Sequence, residues 1–207
     1  MMENKKIFFA TTNPAKVKKY KEKLKEKNID LLTINDLKNK IEINENGKNA
    51  LENAMIKAKA YYDIVKIPTI GMDNSLFIKD IPEEKQPGTN VRRVNGKRLT
   101  DEEMIEYYTN LVKEYGEKLI AKWVFGLVVY NGKKAESMTW SRKDFYFVDT
   151  PCNLRNPGYP LDSISIVPEV NKYLVELTEE EKRKNDLENE KKDNTEEVIK
   201  FIIKNAF

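Results

Sequence analysis

The sequence contains no histidine. Every Ser-His, Cys-His or histidine-ligated metal mechanism is thereby excluded, and any acid, base or metal ligand must be a carboxylate, a lysine or a water. There is a single cysteine, Cys152, so no internal disulfide framework can form. No apolar run approaches the ~20 residues of a membrane span. No charge sign dominates either: 37 basic residues face 34 acidic ones, a net charge of +3. That balance does not demand a nucleic-acid partner, and a charged fraction of 34% reads as solvated surface. Met1-Met2-Glu3-Asn4-Lys5-Lys6 leads straight into a short apolar run, so no secretory signal is expected. A chain of 207 residues is long enough for one self-sufficient core. These absences together predict a soluble cytoplasmic protein of one domain, residues 1–207, without a membrane or nucleic-acid partner.

What is present reads as an α/β chain. Ile7-Phe8-Phe9-Ala10 predicts a buried strand. The loop Thr11-Thr12-Asn13-Pro14-Ala15-Lys16 follows, then a helix from about Pro14 to Lys27 that buries Val17, Tyr20 and Leu24. Asp30 to Ile34 reads as a second strand, completing a β-loop-α-β opening. Leu51, Ala54, Met55, Ala58, Tyr61, Tyr62 and Val65 keep a 3.6-residue period and predict a helix over 49–65. Pro68 to Met72 predicts a strand ending at Asp73-Asn74-Ser75. Residues 80–100 read as a long irregular loop, and Thr100 with Glu103 as a capping box opening a helix over 101–115. Residues 121–130 and 135–140 read as a hairpin around Asn131-Gly132, and 144–148 as a further strand. Residues 179–197 hold one aliphatic side chain, Leu187, and read as a solvated helix face or a mobile loop. Asn194 and Glu197 predict a second capping box before a last helix with Val198, Phe201 and Ile202 inside.

Three constellations could carry chemistry. The Thr11–Lys16 turn joins a strand to a helix start, where free N–H groups attract anions and Lys16 adds charge. It also fits an ordinary capped helix. Asp73 is placed at a strand's carboxyl end, where α/β sheets bind ligands, and a carboxylate there can hold Mg²⁺ or activate water. It equally suits a turn. Glu45 could be a second Mg²⁺ ligand or a plain surface glutamate. Lys57, Arg92 and Arg93 supply cations that could meet phosphate oxygens or simply water. Residues 16–27 carry seven lysines against two glutamates, a pattern open to nucleic-acid binding or to plain solvation.

Taken in order, the segments resemble the inosine triphosphate pyrophosphatase family. Phe9-Ala10-Thr11-Thr12-Asn13-Pro14-Ala15-Lys16 is similar to its Thr-Gly-Asn-x-x-Lys loop, with Thr12 in place of the glycine. Glu45-Asn46-Gly47 and then Glu52-Asn53-Ala54-Met55-Ile56-Lys57-Ala58 resemble its acidic turn and Glu-Asn-Ala-x-x-Lys-Ala helix. Met72-Asp73-Asn74-Ser75-Leu76 stands where the family has Asp-Asp-Ser-Gly-Leu. Pro87-Gly88 with Arg92-Arg93 resembles its Pro-Gly loop and basic residue, and Val175 to Lys182 its late Ala-Glu…Glu-Lys segment. Two segments depart. The Gly-Phe-Gly-Tyr-Asp-Pro loop is reduced to Pro157-Gly158-Tyr159-Pro160, and Arg183-Lys184-Asn185 replaces Ser-His-Arg.

The resemblance implies a twisted mixed β-sheet flanked by helices, in two lobes with a central cleft, and usually a homodimer. It implies Mg²⁺-dependent hydrolysis of a nucleoside triphosphate such as ITP, dITP or XTP to the monophosphate and pyrophosphate. Asp73 would be catalytic and, with Glu45, would hold the metal. Thr11, Thr12, Asn13, Lys16, Lys57, Asn74, Arg92, Gly158, Tyr159 and Lys182 would bind substrate. Thr11, Asn13, Lys16, Glu45, Lys57, Asp73 and Arg92 would converge on the cleft. A non-catalytic or altered-specificity nucleotide binder on the same scaffold, and a nucleic-acid-binding module using the lysine-rich helix, are the alternatives.

Overall fold

The computed structural model describes residues 4–39 and 41–207. The chain opening at Met1–Glu3, on which the absence of a signal was argued, lies outside the described residues. The chain forms two compact units.

Of the described residues, the first unit comprises 4–39, 41–74, 125–140 and 194–207. Strand β1 (Lys5–Phe9) is joined through Asn13 to helix α1 (Pro14–Lys25), which leads to strand β2 (Ile29–Thr33). β1 pairs in parallel with β2 and with the start of strand β3 (Thr69–Ile78). Helix α2 (Ala50–Val65) precedes β3 and buries Ala54 and Ala58 against Val128. Phe8, Ala10, Ile34 and Tyr61 form a neighbouring apolar cluster. Gly71 on β3 is required by close approach: a Cβ there would collide with the Ala54 carbonyl. β3 is thus pressed against α2, which fixes where Asp73 and Asn74 stand.

The second unit comprises residues 75–124 and 141–193. The irregular stretch after β3 holds one turn of 3₁₀ helix (Glu83–Lys85) and a small ladder of β4 (Arg93–Val94) with β5 (Lys97–Arg98). Helix α3 (Asp101–Tyr115) carries the expected capping box of Thr100 and Glu103. Strand β6 (Lys118–Tyr130) begins in this unit and ends in the first; it pairs with β7 (Ala135–Ser141), which lies in the first unit up to Trp140, and its start pairs antiparallel with β8 (Phe145–Val148). β8 then pairs antiparallel with β9 (Ser165–Val167), and β9 with β10 (Lys172–Tyr173). The fold class is therefore α/β, with parallel and antiparallel pairings in a mixed sheet and helices flanking it. Leu76, Ile78, Met104, Tyr108, Val112, Phe147 and Ile164 are the centre of this unit's core.

Helices α4 (Glu179–Asp193) and α5 (Thr195–Ala206) close the chain. Among the described residues, no helix is long and apolar enough to cross a membrane.

Two local expectations are corrected. β3 does not end at Asp73-Asn74-Ser75 but continues to Ile78, with Ser75, Leu76 and Ile78 buried. Leu76 donates its N–H to the Gly88 carbonyl at 2.9 Å, so tertiary pairing overrides the turn-forming side chains. Asn194 and Glu197 form no capping box, because Asn194 is left-handed (φ 40°) and its side chain caps nothing. It is a joint between two helices. Of the two readings of the 179–197 stretch, the solvated helix holds for residues 179–193, opened by reciprocal bonds between Thr178 and Glu181.

Candidate functional site

The acidic and basic candidates of the first unit form one linked cluster. α2 starts at Asn49, whose side chain accepts from the Glu52 N–H at 2.9 Å. Asn53, one turn in, is a polar residue on the helix's buried face, 2% exposed. Its Oδ1 accepts from the Gly47 N–H at 2.8 Å, and its Nδ2 donates to Asp73 Oδ2 at 2.9 Å. This amide ties the turn that carries Glu45 to the strand that carries Asp73. A Cβ on Gly47 would lie 2.6 Å from Asn53 Oδ1, so the turn needs its glycine.

Lys57 stands one turn beyond Asn53. Its ammonium lies 2.8 Å from Glu45 Oε2 and 3.5 Å from Asp73 Oδ1, and its side chain is only 11% exposed. Lys16 Nζ donates to Asn74 Oδ1 at 3.3 Å. Burial, and then repulsion from Lys57, hold the Lys16 ammonium below the usual lysine range, while Asp73 and Glu45 oppose that shift. Lys16, Glu45, Lys57, Asp73 and Asn74 therefore share one electrostatic environment.

The Thr11–Lys16 turn differs from expectation in one respect. Four of its N–H groups are already engaged within the chain: Thr11 N–H with Phe9 O, Asn13 N–H with Thr11 Oγ1, and those of Ala15 and Lys16 with Asn13 Oδ1. Asn13 is the N-cap of α1 and takes the donors an anion would otherwise meet. Thr12 and Asn13 are exposed and Thr11 is buried. What the turn offers an anion is the Lys16 charge and the hydroxyl and amide side chains beside it.

Arg92, Gly158, Tyr159 and Lys182 lie in the second unit. Arg92 Nη1 donates to Asp101 Oδ1 at 2.6 Å, and Arg92 Nη2 lies 3.4 Å from the Gly158 carbonyl. Gly158 has φ 84° and its N–H donates to Asp101 Oδ2 at 2.8 Å. Tyr159, 66% exposed, and Lys182 both line a cavity of about 610 Å³. Trp123, Phe145, Asn156 and Asp162 line it too. Desolvation pushes the Asp162 carboxyl above its ordinary range, against the Asn156 hydrogen bond at 2.8 Å and the Lys182 charge.

Sequence reasoning missed four residues here. Asn53 was visible only as a polar residue on an apolar helix face. Asp101 stands in the sequence only as the first residue of the helix over 101–115, and Asn156 and Asp162 carry no role there. Met72, where the resemblance calls for an acid, is 4% exposed and packs in the core. Among the described residues, no group of three or more histidine, cysteine, aspartate or glutamate side chains could hold a metal. Two oxygen-donor carboxylates, Glu45 and Asp73, converge on one cationic point. That donor set suits a hard cation which keeps most of its shell for water and phosphate oxygens.

A model of the Ham1 family matches residues 7–189. The chain belongs to the Ham1 family. Among its Ham1-family relatives, the dITP/XTP pyrophosphatase of Aquifex aeolicus is 31% identical over 86% of this chain and 89% of its own length. The dITP/XTP pyrophosphatase of Bacillus subtilis is 30% identical over 89% and 91%. A HAM1 protein structure from Coxiella burnetii shares the fold at 20% identity, with a TM-score of 0.75 over 97% of this chain and 99% of that one.

Proposed function

We propose that this Ham1-family chain hydrolyses non-standard purine nucleoside triphosphates, dITP and XTP among them, to the monophosphate and pyrophosphate. The observation that carries the reading is the Asn53-tied cluster of Glu45, Lys57 and Asp73, together with relatives named for that activity. Phosphoryl transfer asks a protein for charge neutralisation and a positioned nucleophile rather than for covalent chemistry. No histidine is needed.

Lys16 and Lys57 neutralise the triphosphate in this proposal, with Thr11, Thr12, Asn13 and Asn74 orienting its oxygens. Asp73 accepts the proton of the attacking water, and the Asn53 amide holds its carboxylate in one orientation. Bound Mg²⁺, held by Glu45 and Asp73, would neutralise phosphate oxygens and lower the pKa of coordinated water. Arg92 and Lys182 add positive charge from the second unit. Tyr159 offers a ring to the base, and Gly158 lets the turn before it form. The two units serve one catalytic domain, which works as a cytoplasmic homodimer.

A nucleotide panel with and without Mg²⁺, read out as pyrophosphate, tests the reading. Preferential release from dITP, ITP and XTP is expected. Binding without turnover across the panel would leave the non-catalytic alternative. Release from a different base would leave the altered-specificity one, which the shortened Gly158–Tyr159–Pro160 segment favours. Light scattering tests the dimer.

A further inference from the structure

We infer that Asp101 is a positioning residue that fixes Arg92 and the Gly158–Tyr159 turn as one piece, so that affinity and base preference change together. The inference rests on the reading that Arg92 and Tyr159 face substrate.

Asn156-Pro157-Gly158-Tyr159 closes with the Tyr159 N–H donating to the Asn156 carbonyl at 2.8 Å. Proline at the second position and a left-handed glycine at the third fit a type II turn. No Cβ on Gly158 would meet anything within 4 Å, so its backbone angle, not space, requires the glycine. In such a turn the third residue's N–H points outward. Here it does not go to water alone but to Asp101 Oδ2 at 2.8 Å.

The other Asp101 oxygen takes Arg92 Nη1 at 2.6 Å, a charge-assisted bond. The same guanidinium donates to the Leu99 carbonyl at 3.3 Å and lies 3.4 Å from the Gly158 carbonyl. One carboxylate thus holds a cation with one oxygen and a loop backbone with the other, and the cation reaches the same loop. The anchor is stiff. Asp101 opens α3, whose Thr100–Glu103 capping box is complete. Tyr108 on α3 donates to the Val91 carbonyl at 2.9 Å, beside Arg92. Glu102, next to Asp101, pairs with Arg155 at 2.8 Å, three residues before Gly158. Two of the three carboxylates in the first turn of α3, Asp101 and Glu102, therefore hold the 155–158 segment. Without Asp101, the exposed Tyr159 ring would lose its fixed direction and Arg92 would rotate towards water.

The test uses the full chain. Asp101→Asn keeps shape and removes charge. It is expected to raise the KM for ITP and XTP about tenfold and to narrow their preference over ATP, while kcat stays within about threefold, as for loss of one hydrogen bond to a charged group. Amide exchange at Gly158 is expected to accelerate. Glu103→Gln weakens the cap of the same helix without touching Gly158 or Arg92, and should leave KM and preference unchanged. Equal effects of the two variants would make the role structural and overturn the proposal, as would an Asp101→Asn enzyme with native KM, native preference and native Gly158 exchange. If Asp101→Asn fails to fold, Asp101→Glu is read in the same assays, and native values there overturn the proposal. Should wild type release no pyrophosphate from any nucleotide, the functional reading falls by itself. Gly158 exchange in the variants still decides whether Asp101 holds the turn.

Discussion

The cluster around Asp73 and the cavity around Tyr159 are built in opposite ways. In the first unit, polar groups are held from several sides: Asn53 is 2% exposed and bonds both Gly47 and Asp73. Glycines at 47 and 71 leave no room for adjustment. In the second unit, a cavity of about 610 Å³ is lined by the strand residues Trp123, Phe145 and Val167 as well as by loops and by a helix with no apolar face, and Tyr159 stands largely in water. On the proposed function, the two places would serve different work. Charge neutralisation and proton transfer need atoms fixed to a fraction of an ångström. Base selection would fall to exposed lining residues such as Tyr159, which can be exchanged without disturbing a core. Mutations should therefore split: rate effects from the first unit, affinity and preference effects from the second.

The largest expected break is Asp73→Asn. Removing the charge and keeping the shape should lower kcat on the order of 10²–10⁴-fold with little change in KM, measured as pyrophosphate release. Turnover equal to wild type would remove Asp73 from the mechanism. Next comes Tyr159→Ala, which should raise KM by about tenfold or more and alter base preference, the effect of losing one stacked ring. A kcat loss matching that of Asp73→Asn would erase the proposed division of labour.

Asn53→Ala sharpens the comparison from the stability side. It orphans the Gly47 N–H and should cost ~1–3 kcal/mol in urea denaturation, while also slowing turnover through Asp73. A stable, fully active variant would mean the amide link is incidental. The smallest effect is on pH dependence. The Asp162 carboxyl is raised by burial, so the folded state binds its proton more tightly than the unfolded chain does. Its contribution to stability is full below the unfolded value and is lost as pH rises through the raised one. Asp162→Asn should thus give a slightly higher urea midpoint at neutral pH, with the gap closing as pH falls from the raised value to the ordinary aspartate range. A gap that is independent of pH would contradict the assigned burial.

The first unit was largely readable in the sequence because its signals are local. Ala54, Ala58 and Tyr61 repeat at helical spacing, and the site residues sit at fixed steps from that pattern. The extent of β3 was not readable, because Asp73-Asn74-Ser75 is turn-forming by itself, and the pairing of β3 with β6 and the Leu76–Gly88 bond come from distant parts of the chain. The engaged amides of the Thr11–Lys16 turn depend on the rotamer of Asn13, which no spacing reveals. In the second unit, Asp101 and Gly158 are 57 residues apart. A bond across that separation leaves no periodicity to read.

Helix α4 has a thermodynamic consequence of its own. It holds one aliphatic residue, Leu187, which is 51% exposed, and it is fastened by polar bonds: Glu181 to Lys172, Asn189 to the Lys143 N–H, and the forked Arg142 guanidinium to the buried Asp193. The heat-capacity change of unfolding comes from apolar surface newly exposed to water. Releasing α4 exposes almost none. Its detachment should therefore carry little heat capacity and vary weakly with temperature, yet respond to ionic strength. The wall of the cavity that α4 forms would then be set more by the salt around the protein than by its warmth.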